Sequence, residues 1–152
     1  MTYWRMQLHP NESGGAIGHT VESLAAGYVG LDFGEDVPDM LTVSRETLPE
    51  NHRNYWAFAH EMEIEDRILL FAHHFPFALV RVSGSYNYIR AIAPEIGVWF
   101  RHFRKIDDVR YYGDFMTNAR NWEPITMTAT ITPLREPGSS SYQLIKQWLG
   151  AV

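Results

Sequence analysis

Glu63-Ile64-Glu65-Asp66-Arg67-Ile68-Leu69-Leu70-Phe71-Ala72-His73-His74 is the stretch that decides the fold. A charged turn gives way at Ile68 to an unbroken apolar run. Such a run, closed by two histidines and Pro76, reads as a central strand buried on both faces. A second strand, Phe77-Ala78-Leu79-Val80-Arg81-Val82-Ser83, follows at once. The link from His73 to Pro76 is short enough for a hairpin. Ile68 to Phe71 is therefore expected at the centre of a sheet, with Leu79 to Val82 antiparallel beside it.

Upstream, Trp4, Met6 and Leu8 alternate with Tyr3, Arg5 and Gln7, the pattern of a half-buried strand. Ile17 to Ala26 has helical spacing, with Ile17, Val21, Leu24 and Ala25 inward and Gly27 as its stop. Tyr28 to Phe33 is a short strand, and Met40 to Val43 reads as a brief strand or a helical turn. Pro49 to Met62 is helical, with Tyr55, Phe58, Ala59 and Met62 on one side. Downstream, Tyr86 to Arg90 continues the second strand or pairs with it. Gly97 to Ile106 is a long strand. It sets Val98, Phe100, His102 and Arg104 on one face and Trp99, Arg101, Phe103 and Lys105 on the other. Asp114 to Trp122 suggests a short helix. Ile125 to Ile131, with its threonines and the following Pro133, is an edge strand or a loop. Ser141 is the candidate cap of a last helix, Tyr142 to Leu149, whose apolar face is Leu144, Ile145, Trp148 and Leu149. The expected fold is α+β: a small curved mixed sheet or partial barrel with helices packed around it. Its main domain covers 1–136, followed by a linker-like turn and C-terminal helix at 137–152.

The chain has 152 residues, enough for one domain with its own core and too few for two. An aromatic content of 14% exceeds what such a core needs, so some rings are candidates for a pocket. With no cysteine, thiolate zinc sites, disulfides and cysteine nucleophiles are excluded, which suits a reducing cytoplasm. No stretch is long and apolar enough to span a membrane, and the first residues lack the apolar core of a signal peptide.

A net charge of −5 argues against nucleic-acid binding by bulk charge. The distribution is uneven, however. From Glu35 to Asp66 the acids face only Arg45 and Arg53. From Arg81 to Arg120 run Arg81, Arg90, Arg101, Arg104, Lys105, Arg110 and Arg120, against Glu95, Asp107, Asp108 and Asp114. The second half therefore offers a local basic face, with Arg90, Arg101, Arg104 and Lys105 as candidate phosphate ligands.

Two pieces of the chain carry a family resemblance. Tyr3-Trp4-Arg5-Met6-Gln7-Leu8-His9-Pro10 resembles the opening Tyr-Trp-Leu-Met-Lys-Ser-Glu-Pro of EVE domains. Arg53-Asn54-Tyr55-Trp56-Ala57-Phe58 and the residues to His73 resemble that family's Arg-Asn-Tyr-x-Ala-Arg, helix, Gly-Asp, apolar strand and Tyr-His-Ser. EVE domains are PUA-like and similar to YTH domains. The strand Tyr28 to Phe33 and Gly84-Ser85-Tyr86-Asn87-Tyr88 look similar to the modified-DNA-reading N-terminal domains of McrBC-type restriction enzymes. The departures are Gln7-Leu8-His9 for Lys-Ser-Glu, and Glu65-Asp66 for Gly-Asp. The resemblance implies a non-catalytic reader that holds a flipped, modified (methylated) base in an aromatic pocket. DNA is the expected partner and RNA the other candidate. A separate nuclease or NTPase, as in modification-dependent restriction, would be the effector.

A flipped base needs flat walls and polar groups for its edge. Phe33, Tyr86, Tyr88 and Trp99 lie at strand ends or beside turns and are the candidate walls. Gln7 and Asp32 are the candidates for the base edge. Gly30, Gly34, Gly84 and Gly97 lie near them, where a backbone can make room for a ligand. His73 and His74 alternate across a strand and His52 and His60 are not at ligand spacing, so neither metal nor cofactor is expected. No nucleophile elbow, P-loop or dinucleotide fingerprint occurs. The alternatives are an ASCH-type hydrolase of modified nucleosides, which would need Lys105 or Lys146 at its centre, and a protein-interaction module.

Overall fold

The computed structural model describes residues 1–7, 20–32, 36–72, 75–111 and 130–150. Six strands form one open mixed sheet: β1 (Tyr3–Gln7), β2 (Tyr28–Leu31), β3 (Arg67–Ala72), β4 (Phe75–Tyr88), β5 (His102–Tyr111) and β6 (Ile131–Leu134). Their order is β2-β5-β4-β3-β1-β6. β1 runs parallel to β3, and every other pairing is antiparallel. The helical elements are α1 over 20–25, α2 (Arg53–Trp56) and α3 (Ser140–Gly150). The architecture is α+β, with an open sheet in place of the partial barrel alternative.

The apolar run behaves as its composition dictates. Ile68, Leu69, Leu70 and Phe71 are all fully buried. Ile68 and Leu70 join the larger core with Trp4, Met6, Val80, Tyr55 and Phe58. Leu69 and Phe71 point to the opposite face, where Leu79, Leu134 and Ile145 form a second core. Because side chains alternate along a strand, a sheet covered on both faces needs apolar residues at every position. Val80 lies opposite Ile68 and Leu79 opposite Leu69, the antiparallel register expected. The second face is closed by α3, so the segment after residue 136 supplies a layer of this same core.

Other elements depart from or refine what the sequence predicts. In β1, Trp4 and Met6 are buried as the alternation requires. β6 carries Pro133 at the sheet edge, where a missing N–H is tolerated. α1 buries Thr20, Ser23 and Leu24, whereas Val21 is exposed; the helix is rotated so that Ser23 donates to the Tyr28 carbonyl at 3.0 Å. Gly27 ends it at φ 89°, the left-handed conformation glycine accepts without penalty. Residues 40–43 form a turn on which Met40 is completely buried. The cap of α3 is Ser139, whose hydroxyl accepts the Tyr142 N–H at 3.3 Å. Ser141, the residue expected there, is buried instead with its Oγ 3.5 Å from Arg5. β5 begins at His102, five residues later than expected, and Val98 makes only a bridge to Ala93. The Asp114–Trp122 helix, Ile125 to Ala129, Ile17, Leu8, His73 and His74 lie outside the described residues.

One carboxylate ties the start of the chain to the central hairpin. Asp66 is almost fully buried. Its Oδ1 accepts the Thr2 N–H at 2.8 Å, and its Oδ2 accepts the Trp4 indole N–H at 2.8 Å and the Glu63 N–H at 2.9 Å. Its own carbonyl accepts the Val82 N–H at 2.9 Å. The preceding Glu65 sits at φ 79°, where a side chain other than glycine is strained. These two residues give stability effects of opposite sign. Asp66→Ala orphans buried donors and is expected to lower the unfolding free energy by roughly 3–5 kcal/mol. Glu65→Gly relieves strain against a larger unfolded-state entropy and is expected to raise it by about 0.5–1 kcal/mol. Urea titration of both variants measures the two shifts.

Candidate functional site

Three arginines of the basic half, Arg81, Arg101 and Arg110, are each paired with an acid. Arg81 forms a two-point pair with Asp107, its register partner across β4 and β5, at 2.7 and 2.6 Å. Arg67 and Arg110 share Asp108, at 2.7 and 3.2 Å. These arginines hold the Asp107 and Asp108 carboxyls below the usual carboxylate range. Arg101 grips Asp32 through Nε at 2.8 Å and a second nitrogen at 2.9 Å, and its backbone N–H adds a third bond. Hydrogen bonding to Asp32 raises the Arg101 guanidinium still further above its ordinary range. Arg104 is buried, with its guanidinium on the carbonyls of Gly84, Phe58 and Met62. Burial lowers its pKa. Arg104 is thus enclosed away from any surface phosphate, and Arg101 is engaged by an acid. Arg90 and Lys105 are exposed and form no ion pair among the described residues.

The expected base pocket is divided by the sheet. Gln7 sits opposite Phe71, which lies opposite Pro76 at the start of β4. Tyr86 is ten residues farther along that strand, roughly 30 Å at the usual rise. Gln7 therefore lies at the other end from the aromatics. Phe33 lies outside the described residues. Tyr86, Tyr88 and Asp32 do come together, around His102. Tyr88 packs on the imidazole at 4.9 Å and Tyr55 meets it edge-on at 4.6 Å. The Tyr86 oxygen accepts the Met40 N–H at 3.1 Å and lies 2.7 Å from His102 Nδ1. The Tyr86 hydroxyl thus links the Met40 amide and the His102 imidazole inside the core. Trp99 is half-buried on the strap before β5. Gly30 and Gly97 make room for the chain itself: a Cβ on Gly30 would lie 2.3 Å from Phe100 Cβ, and one on Gly97 2.2 Å from Ala26 Cβ; Gly34 lies outside the described residues. The cluster is an interior polar network, with Tyr86 and His102 both buried.

A different surface is concave and carries charged groups outside the ion pairs of the sheet. Arg45, Leu48, Arg53, Trp56 and Glu61 line a hollow of about 310 Å³. The sequence from Glu50 to Glu61 passes through three helical registers, 3-10 at Glu50–His52, α at Arg53–Trp56 and π at Ala57–Glu61. Tyr55, Phe58 and Met62 anchor this segment in the core. Arg53 and Trp56 share a face because they are three apart. Trp56 is backed by His60, with ring centroids 4.0 Å apart. The His60 Nε2 lies 2.8 Å from the Met40 carbonyl, so that nitrogen carries the proton and fixes the ring. Among the described residues neither Arg45, Arg53 nor Glu61 is in an ion pair. Glu61 also lines a wider hollow of about 760 Å³ with Thr2, Tyr3, Trp4, Arg135 and Tyr142. The sequence signal for this site was present: Arg45 and Arg53 are the two cations in the acidic half, and Trp56 follows Arg53 by one helical step.

No family model matches the chain, and no curated protein matches it. Among solved structures it is similar to a protein from Pseudomonas putida, with 10% identity, 97% of this chain and 98% of that one covered, and a TM-score of 0.44. It is also similar to a protein from Agrobacterium tumefaciens, with 15% identity, 100% of this chain and 94% of that one covered, and a TM-score of 0.40. Both were solved as structural-genomics targets. No helix among the described residues is long and apolar enough to cross a membrane.

The His102 network gives a pH signature. Burial depresses the His102 pKa to about 4, against opposing contributions from Asp32 and the Val37 backbone. The unfolded chain takes up this proton near pH 6.5, whereas the native state resists it. Stability is therefore fully present above pH 6.5, falls as pH drops from 6.5 to about 4, and levels below that. The loss is roughly 3 kcal/mol. Urea titrations across this range are expected to show the slope in the native chain and to lose most of it in His102→Gln.

Proposed function

We propose that the chain is a nucleic-acid-binding domain that seats an extruded, modified base in the hollow beside Trp56. One observation carries this reading: a flat aromatic wall, an apolar wall and two guanidinium groups without ion pairs line a single concavity. The indole provides a stacking platform, Leu48 an apolar surface, and Arg45 and Arg53 the charge that phosphate oxygens need. Stacking of a base on an aromatic ring is worth about 1–3 kcal/mol, enough to offset much of the cost of extrusion. A volume of about 310 Å³ falls at the small end of ligand sites.

The EVE-like reading draws support from the same segment. Tyr55 of the Arg-Asn-Tyr run is buried in the core and directs its neighbours outward. The Glu65 backbone takes a conformation suited to glycine at the place where that family has Gly-Asp. On this reading the protein is the specificity module of a modification-dependent restriction system. It would work in the cytoplasm beside a nuclease or NTPase. Methylated DNA is the first ligand to test and RNA the second. The hydrolase alternative gains nothing here, since neither Lys105 nor Lys146 lines either hollow.

Fluorescence anisotropy with labelled oligonucleotides, plain and methylated, single- and double-stranded, tests the proposal. Trp56→Ala is expected to weaken binding about 10- to 100-fold. Joint Arg45→Ala and Arg53→Ala is expected to reduce the salt slope by about 2. Unchanged affinity in both variants, with circular dichroism showing them folded, would sink the reading.

A further inference from the structure

The hollow beside Trp56 contains a carboxylate, and a phosphate seat alone would exclude one. Glu61 stands in the same concavity as Arg45 and Arg53. In a continuous α-helix a residue five positions after Trp56 would be turned roughly 140° away from it. The π register of Ala57–Glu61, closed by the Met62 N–H on the Ala57 carbonyl at 3.0 Å, winds the chain more slowly. That widened turn brings Glu61 round to the hollow lined by Trp56, and such π turns recur at functional sites. Glu61 also lines the wider hollow bounded by Thr2, Tyr3 and Arg135.

An ionised carboxylate can only accept hydrogen bonds, and its two oxygens can take two parallel donors. Thymine and uracil present one N–H between two carbonyl oxygens, which repel it. Cytosine and adenine offer an amino group beside a ring acceptor. Guanine offers N1–H and its 2-amino group side by side. We infer that Glu61 makes the base seat selective for amino-bearing bases, guanine foremost, and rejects thymine and uracil. Methylation that leaves an edge N–H in place leaves the base eligible. The inference rests on the base-seat reading proposed above. It assigns Glu61 the base edge and leaves stacking and phosphate to Trp56, Arg45 and Arg53.

The test uses short single strands carrying one base, guanine, cytosine, adenine or thymine, among abasic sites, in competition anisotropy with the full chain. The native protein is expected to bind the guanine strand 10- to 100-fold more tightly than the thymine strand, about the usual value of one two-point base contact. Glu61→Gln, which can both donate and accept, is expected to bring the four strands within about 3-fold without weakening the thymine strand. Equal binding of all four by the native chain, or an unchanged ranking in Glu61→Gln, overturns the assignment of Glu61. If Trp56→Ala still lowers affinity in that case, the base seat itself stands. No binding of any strand, or no effect of Trp56→Ala, removes the base seat and this inference with it.

Discussion

The Asp66 carboxylate is the constraint on which the rest of the structure depends. It is buried, and it takes donors from Thr2, Trp4 and Glu63. Buried hydrogen bonds to a charged acceptor are strong when made and costly when one partner is lost. Through them, the first strand is fixed in parallel register on β3, a pairing that no short turn could set. The same residue fixes β4, because its carbonyl holds Val82. The helical segment that ends at Met62 is joined to this knot by the Glu63 amide. Trp56 and Glu61 are therefore held over the sheet by the interaction that organises the sheet.

Charge placement follows from register rather than from composition. Arg81 and Asp107 stand opposite each other on β4 and β5, and Arg101 is beside Asp32 at the end of β2. Antiparallel neighbours of opposite sign neutralise one another across a sheet. A count along the chain sees a basic half, but in the folded chain Arg81, Arg101 and Arg110 of that half are paired with acids. The two arginines in the acidic half have no strand partner, since they lie on helical turns and loops. They keep their charge available where the sequence count assigned the least.

Much of the fold was legible because its signals are local. The apolar run at Ile68 demanded cover on both faces, and it has it. Alternation in Tyr3–Gln7 gave the buried pair Trp4 and Met6. Alternation through Val98, Phe100, His102 and Arg104 put Arg104 on the face opposite Arg101 and Lys105, but only the folded chain shows that face to be buried, which removes Arg104 from the expected phosphate ligands. Other features had no local signal. The rotation of α1 depends on Ser23 meeting the Tyr28 carbonyl, and the capping of α3 by Ser139 depends on where the chain leaves β6. The π turn at Ala57–Glu61 leaves the apolar pattern almost unchanged while moving Glu61 to another face. That is why Glu61 could not be found from spacing. Gly30 and Gly97 suggested space for a ligand, but tertiary packing fills it with Phe100 and Ala26.

On the proposed function, ligand enters beside Trp56 and not among the rings around His102. The chain has five tryptophans, each with an indole N–H that reports separately in a nitrogen-15 correlation spectrum. Titration with a methylated single strand is the direct measurement. The Trp56 indole and the Arg45 and Arg53 Nε signals are expected to move together and saturate at one ligand, while the Trp99 indole stays in place. Movement of Trp99 with a stationary Trp56 would contradict this and return the site to the Tyr86, Tyr88 and Asp32 end of the sheet.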